Sequence, residues 1–131
     1  MDNSAADVAA WLLKADHDLL NIRNNLAAEL VPWDTLCFHA QQAVEKTLKA
    51  LLVQHNRVPP KTHDLGYLLD LCAEHEPTLV ALQADCDSLS GAAVLGRYPD
   101  YLLEPDEASS RPLLAAMQRV LAALNAHVRG A

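Results

Sequence analysis

Apolar residues recur every three or four positions along most of this chain, and this spacing decides what it can fold into. Residues at those intervals share one face of an α-helix, whereas a half-buried strand needs strict alternation. The sequence has no alternating apolar runs and no Asn-Gly or Asp-Gly hairpin pairs. The pattern predicts an all-α fold, an up-and-down antiparallel bundle of four to five helices, in one domain over residues 1–131.

Prolines divide the helical pattern into segments. Pro32 separates a first helix, residues 4–30, from a second helix, residues 33–55. Pro59 and Pro60 follow the second helix, and they end it because proline has no N–H for the next helical hydrogen bond. The short connection through Pro32 predicts an antiparallel hairpin of two long helices. The core-facing stripe of the second helix comprises Leu36, Ala40, Ala43, Val44, Thr47, Leu48 and Leu51.

The rest of the chain predicts three further helices. Thr62 is a suitable N-cap for the third, and Pro77 suits the first turn of the fourth, which Ser90-Gly91 would end. Residues 92–108 contain glycine and prolines and predict an irregular surface crossing.

Two positions suit the start of the last helix. Either Ser110 caps it and Pro112 lies in its first turn, or it begins near Asp106 and kinks at Pro112. The sequence leaves both alternatives open.

Composition excludes several classes of protein. The net charge of −7 gives a surface that repels phosphate backbones, so we expect no DNA binding. There is no apolar run long enough to span a membrane and no leader with a basic and then an apolar region. The three widely spaced cysteines do not suggest a disulfide framework and are interpreted as small buried residues. We therefore expect a cytoplasmic protein without membrane contact.

The charge is distributed unevenly. Residues 35–63 contain four basic residues, Lys46, Lys49, Arg57 and Lys61, against Glu45 alone, which gives this segment a balance of +3. A basic island on an acidic chain can hold a small anion or a single strand, or it can dock an acidic partner.

Four polar residues of the second helix form a stripe opposite its leucines: His39, Gln42, Lys46 and Lys49. At 100° per residue they fall within about 80° of one another and are expected to face water. A ligand site is one interpretation, and a solvated helix face is the other. Further cationic and aromatic groups follow in the turn and in a later loop, where sites tend to collect. The candidate ligand-binding set is His39, Gln42, Lys46, Lys49, Arg57, His63, Arg97 and Tyr98.

The histidine spacing does not suggest a metal site. No two histidines stand four residues apart with a third ligand facing them, so we expect no metal and no cofactor. His17 lies between Asp16 and Asp18, but adjacent residues diverge around a helix. We interpret these three residues as a solvated charged turn.

Three segments carry a resemblance to a known family. CFHAQQAVEKTLKALLVQH, then THDLGYLLDLC, then RYPD before a final helix together resemble the HEPN domain family, in its order and spacing, over residues 6–124. The resemblance implies an all-α bundle, usually a homodimer, that binds nucleotides or RNA. It also implies frequent pairing with a minimal nucleotidyltransferase in toxin–antitoxin-like systems. The residues that match its motifs are His39, Gln42, Glu45, Lys46, Lys49, His63, Asp64, Arg97, Tyr98 and Asp100.

The resemblance leaves two functions to weigh. Ribonucleases of the family carry an arginine, four to six residues and a histidine in the last helix. Here Arg119 and His127 are separated by seven residues, so the motif is not met. We therefore expect a non-catalytic module that binds a nucleotide, single-stranded RNA or a nucleotidyltransferase partner. The alternative is a metal-independent ribonuclease that uses His63 or His127 with a nearby arginine.

Dimerisation has a predicted surface of its own. Phe38, Gln41, Glu45 and Leu52 form a second face of the long helix, away from its main stripe. Apolar residues on such a face suggest helix contact between two subunits, so we expect a homodimer.

Overall fold

A computed structural model describes residues 4–95 and 105–130, with residues 92–95 described by their backbone alone. Within these ranges the chain forms helices and no strand. They are α1 (Ser4–Leu26), α2 (Trp33–Gln54), α3 (Leu65–Ala73), a 3-10 helix (Pro77–Leu82), α4 (Gln83–Leu95) and α5 (Glu107–Val128). The all-α bundle predicted from the spacing is confirmed. No helix in the described part is long and apolar enough to cross a membrane.

The second helix, α2, lies at the centre of the bundle. It packs against α1, α3, α4 and α5, and 13 of its 22 residues are buried. Leu36, Leu48 and Leu51 are completely buried, and each such leucine stabilises the fold by about 1.5–3 kcal/mol. Every residue of the predicted core stripe is buried, so that prediction is confirmed. Because neighbours surround α2, little of its surface is left for water.

Some helix ends differ from the predictions. The first helix ends at Leu26, four residues earlier than expected. Asp64, not Thr62, caps α3, because its carboxylate accepts a hydrogen bond from the Tyr67 backbone N–H. Thr62 instead accepts a hydrogen bond from the Asp64 N–H and so stabilises the turn before the cap.

The fourth helical segment begins at Pro77 as predicted, but its predicted end at Ser90-Gly91 is wrong. It begins as a 3-10 helix, and the α-helix that follows continues through Gly91 to Leu95. A Cβ added to Gly66 would lie 2.6 Å from Asp87 Oδ1 of α4, so the small residue permits this close approach.

The last helix begins at the earlier of its two predicted positions. Asp106 accepts from the Ser109 N–H and Ser109 Oγ accepts from the Asp106 N–H, which completes a capping box. Pro112 therefore lies inside α5. Ser110 does not cap the helix. It is fully buried, and its hydroxyl accepts a hydrogen bond from the Cys37 thiol.

The three cysteines are free and buried, as expected. Burial raises the pKa of the Cys72 and Cys86 thiols to about 12 in each case. These side chains are neutral packing groups of the core.

Candidate functional site

A buried carboxylate joins α1 to α2. Asp18 Oδ1 lies 2.7 Å from His39 Nδ1, and Asp18 Oδ2 lies 2.6 Å from Lys46 Nζ. The aspartate side chain is 7% exposed, while His39 and Lys46 are each 21% exposed. We call these three residues the Asp18 cluster. A buried carboxylate with a lysine and a histidine partner on the neighbouring helix holds the two helices in register.

Sequence reasoning missed Asp18. The interpretation of residues 16–18 as a solvated charged turn is wrong for this residue. Ala15, Asp18 and Ile22 are the buried residues of α1 and follow one another at steps of three and four. That spacing is the signal that could have placed Asp18 on the inner face of the helix.

A second buried carboxylate joins α2 to the segment before α3. Glu45 Oε1 accepts from Gln41 Nε2 at 3.0 Å and lies 2.8 Å from His63 Nδ1, and Oε2 accepts from Lys49 Nζ at 3.1 Å. We call these four residues the Glu45 cluster. Gln41 also donates to the His63 carbonyl at 3.2 Å. The cluster thus connects the two longest segments of the family resemblance.

The Glu45 carboxylate is kept ionised by its partners. Burial on its own would raise its pKa, but hydrogen bonds from His63, Gln41 and Lys49, with the Lys49 charge, hold the pKa below the ordinary value of 4.5. An ionised carboxylate only accepts hydrogen bonds, so His63 Nδ1 carries the hydrogen. The His63 side chain is 61% exposed. Its Nε2 makes no hydrogen bond with the residues that the structure describes. The bond from Nδ1 to Glu45 sets the orientation of the ring, so Nε2 is held on its exposed side.

The prediction that the polar stripe of α2 faces water together is wrong. Lys46 turns to Asp18, and Lys49 is buried between Glu45 and the Trp11 ring, whose centroid is 5.6 Å from Nζ. Gln42 is half-buried and donates to the Gln41 side-chain carbonyl oxygen. The physical reason is that α1 covers this side of α2. Whether these residues also bind a ligand stays a prediction.

The second face proposed for dimer contact is also wrong as a free surface. Gln41, Glu45 and Leu52 are buried within the chain itself, and only Phe38 is exposed, at 39%. A homodimer therefore needs another contact surface. That the chain forms a homodimer stays a prediction.

The turn between α2 and α3 carries cationic groups that do reach solvent. Asn56 takes a left-handed conformation (φ 61°) just after α2. The Arg57 N–H then bonds to the Leu52 carbonyl and the Asn56 N–H to the Val53 carbonyl, which is a Schellman ending. Lys61 is exposed and has no ion pair within the described ranges. We call Arg57, Lys61 and His63 the basic turn.

Arg57 has partners on one side of its guanidinium only. Its Nη1 donates to Glu74 Oε2 at 2.7 Å and to His75 Nε2 at 3.3 Å. That pair with Arg57 lowers the pKa of the exposed Glu74 carboxyl. The Nε and Nη2 atoms make no hydrogen bond with described residues and leave one edge of the guanidinium available.

An open groove of about 420 Å³ lies between the first half of α1 and the start of the turn that follows α2. Asp7, Trp11 and Lys14 line it from α1, and Arg57, Val58 and Pro59 line it from the turn. We call it the α1 groove. Sequence reasoning did not select Trp11 or Lys14, although residues 7, 11 and 14 share one helix face at steps of four and three.

Arg119 and His127 of the last helix, whose spacing does not meet the ribonuclease motif, have separate partners. Arg119 forms a two-pronged pair with Asp85 of α4, and His127 Nδ1 lies 3.4 Å from Glu76. Arg97 and Tyr98 lie outside the described residues, as does Asp100. In the described ranges no group of three or more His, Cys, Asp or Glu side chains is arranged to hold a metal ion.

Comparison with protein families assigns the chain to a known class. A family model of the HEPN domain matches residues 8–127, and the chain belongs to the HEPN domain family. This membership supports a nucleotide- or RNA-binding module or a ribonuclease-type module. No curated protein and no solved structure matched the chain.

Proposed function

We propose that this chain is a non-catalytic HEPN module that binds nucleotides or single-stranded RNA through the basic turn. One observation carries the proposal. Lys46 and Lys49 have buried carboxylate partners, whereas Arg57, Lys61 and His63 bring their polar groups to the surface between α2 and α3. Cations whose charge is already neutralised inside the fold gain little from a phosphate, while exposed ones release counterions when they bind it.

The chemistry of the basic turn fits phosphate better than an apolar partner. The open edge of Arg57 can donate two parallel hydrogen bonds to phosphate oxygens, and Lys61 adds a mobile charge. The fixed imidazole of His63 can donate or accept at Nε2. Arg97 and Tyr98, which match the family motif, stay predicted contributors to the same function.

A direct experiment is to titrate the protein into a labelled single-stranded RNA in the presence of a chelator, at several salt concentrations. We expect binding whose affinity falls linearly with salt on logarithmic axes, while the RNA stays intact. Absence of binding at low salt would remove the proposal.

A partner and a second subunit belong to the proposal through the family resemblance. We propose a cytoplasmic homodimer that works with a minimal nucleotidyltransferase, as in toxin–antitoxin-like pairs. Sedimentation of the purified protein should show a species of twice 14.3 kDa. Co-purification with a minimal nucleotidyltransferase encoded beside it tests the pairing, and a lone monomer with no such partner would contradict both statements.

One observation favours the ribonuclease alternative. The buried Glu45 carboxylate at Nδ1 orients the His63 ring and leaves Nε2 on its exposed side, which is an arrangement suited to a general base. This alternative predicts cleavage of single-stranded RNA in the presence of chelator and loss of cleavage in His63→Ala. The same assay separates the two functions, because the non-catalytic module leaves RNA of unchanged length.

A further inference from the structure

We infer that the α1 groove is the binding site for one nucleotide unit, with its base against Trp11 and its phosphate between Lys14 and Arg57; this inference rests on the proposed function and extends it from Arg57, which the groove and the basic turn share. The groove volume of about 420 Å³ falls in the range of small-ligand sites.

The walls of the groove suit an aromatic ring. Trp11 is half-buried at its side, so the indole is held by the fold while part of it stays accessible. Val58 and Pro59 supply apolar surface from the facing turn, and Val58 is 92% exposed. A valine and a tryptophan that line the same groove offer a base two apolar surfaces, and stacking of a base on an aromatic side chain is worth about 1–3 kcal/mol.

The charges of the groove suit a phosphate. Lys14 is exposed and has no ion pair in the described part of the chain. Arg57 uses only Nη1 for Glu74 and His75, so its Nε–Nη2 edge can grip two oxygens of one phosphate. Lys14 lines the groove from α1 and Arg57 lines it from the turn, so we place the anion between these two side chains.

Asp7 limits what the groove accepts. With Lys14 and Arg57 it gives the groove a formal charge of +1, in a chain whose net charge is −7. A carboxylate can accept hydrogen bonds from sugar hydroxyls or from the amino group of a base. It also repels additional phosphates, so the groove favours a monophosphate unit over a triphosphate.

The turn that forms one wall is fixed before any ligand arrives. The Schellman ending at Asn56 determines where Arg57 leaves α2, and Pro59 has a restricted backbone. A wall ordered in advance lowers the entropic cost of binding.

Tryptophan fluorescence tests the inference. The chain has two tryptophans, and Trp33→Phe leaves Trp11 as the single reporter. We expect adenosine monophosphate to quench the emission of this protein with saturation, and adenosine without phosphate to bind at least several-fold more weakly. Competition by a short single-stranded RNA would show that the groove also takes a nucleotide of a strand, and lack of competition would limit it to the free nucleotide; both results support the groove.

Two charge reversals on the same helix provide the variant and its control. Lys14→Glu should weaken nucleotide binding about ten-fold or more, because it removes a cation and adds an anion at the phosphate. Arg23→Glu changes the charge equally on an exposed position of α1, outside the groove, and should leave the affinity unchanged. Both residues are exposed, so the fold tolerates both changes.

The outcomes separate this inference from the proposed function. If the single-tryptophan protein still binds RNA but the nucleotide never changes Trp11 emission, the groove assignment is wrong and the proposed function stands. If neither nucleotide nor RNA binds, both fall. Equal loss of affinity in Lys14→Glu and Arg23→Glu would also overturn the groove, because it would show an effect of net charge alone.

Discussion

The α1–α2 seam and the basic turn contain the same kinds of cationic side chain, but they differ in where the opposite charges lie. At the seam, Lys46 of α2 contacts Asp18 of α1, while Lys49 lies over Trp11 of α1 and pairs with Glu45 of its own helix. The two carboxylate side chains are only 7% and 5% exposed. At the turn, Lys61 has no carboxylate partner among the described residues, and the partner of Arg57, Glu74, is 58% exposed. The first arrangement stabilises a helix pair, and the second leaves charge available to a ligand.

The difference shows why a local count of charges misleads. The balance of +3 over residues 35–63 suggests one basic surface. Asp18, which lies outside that segment, neutralises part of it, and Glu45 neutralises another part from within. The remaining positive charge belongs to Arg57 and Lys61 in the turn. Two of the four basic residues in the segment therefore stabilise the fold, and the other two are on its surface.

Removing the carboxylate of Asp18 should have the largest effect on stability. We expect Asp18→Ala to lower the free energy of unfolding by about 2–4 kcal/mol, because Lys46 then stays largely buried without a counter-charge and His39 loses its hydrogen-bond partner. Urea denaturation measures this change.

Asp16→Ala is the matched control for that substitution. Asp16 is on the same helix, but its pair with Arg129 is at the surface, where Asp16 is 49% exposed. The expected change is within about 1 kcal/mol. If Asp16→Ala and Asp18→Ala lowered the free energy of unfolding equally, the buried Asp18 cluster would stabilise the fold no more than a surface ion pair does.

The Glu45 cluster should produce a smaller effect that depends on pH. The pKa of Glu45 is lowered in the folded state, so its contribution to stability is complete above the ordinary value of 4.5. That contribution is lost as the pH falls through the lowered folded value. We therefore expect the difference in unfolding free energy between the parent and Glu45→Gln to shrink as the pH is reduced from about 5 to about 3.

Urea titrations of the parent and of Glu45→Gln at these pH values check the prediction. A difference that stays constant over the whole range would mean that the ionised form of Glu45 does not support the fold. The buried ion pair of Glu45 would then contribute no more to stability than the exposed charges of the turn do.

Much of the fold could be predicted from the sequence because it follows from helical spacing. The second helix was expected over residues 33–55 and is observed as Trp33–Gln54. Its core stripe is buried throughout. Spacing determines which residues share a helix face, and it needs no knowledge of the neighbouring elements.

The candidate site was less predictable because spacing does not say which neighbour covers a given face. His39, Gln42, Lys46 and Lys49 do share one side of α2, but α1 lies over that side. The α1 groove was missed for a related reason. Trp11 and Arg57 are far apart in sequence and meet only because α1 and α2 are antiparallel. Arg97 and Tyr98 lie outside the described residues and keep their predicted role.

The most direct test of binding at the turn compares the RNA affinity of two single-lysine variants, Lys46→Met in the seam and Lys61→Met at the turn. Both remove one charge, and the comparison is made at a temperature where both proteins are folded. We expect Lys61→Met to weaken binding and to reduce the slope of its salt dependence by about one. Lys46→Met should bind RNA as the parent does, although it unfolds more easily. If Lys46→Met lost RNA binding while Lys61→Met kept it, the seam would be the binding surface, and the assignment of binding to the turn would be contradicted.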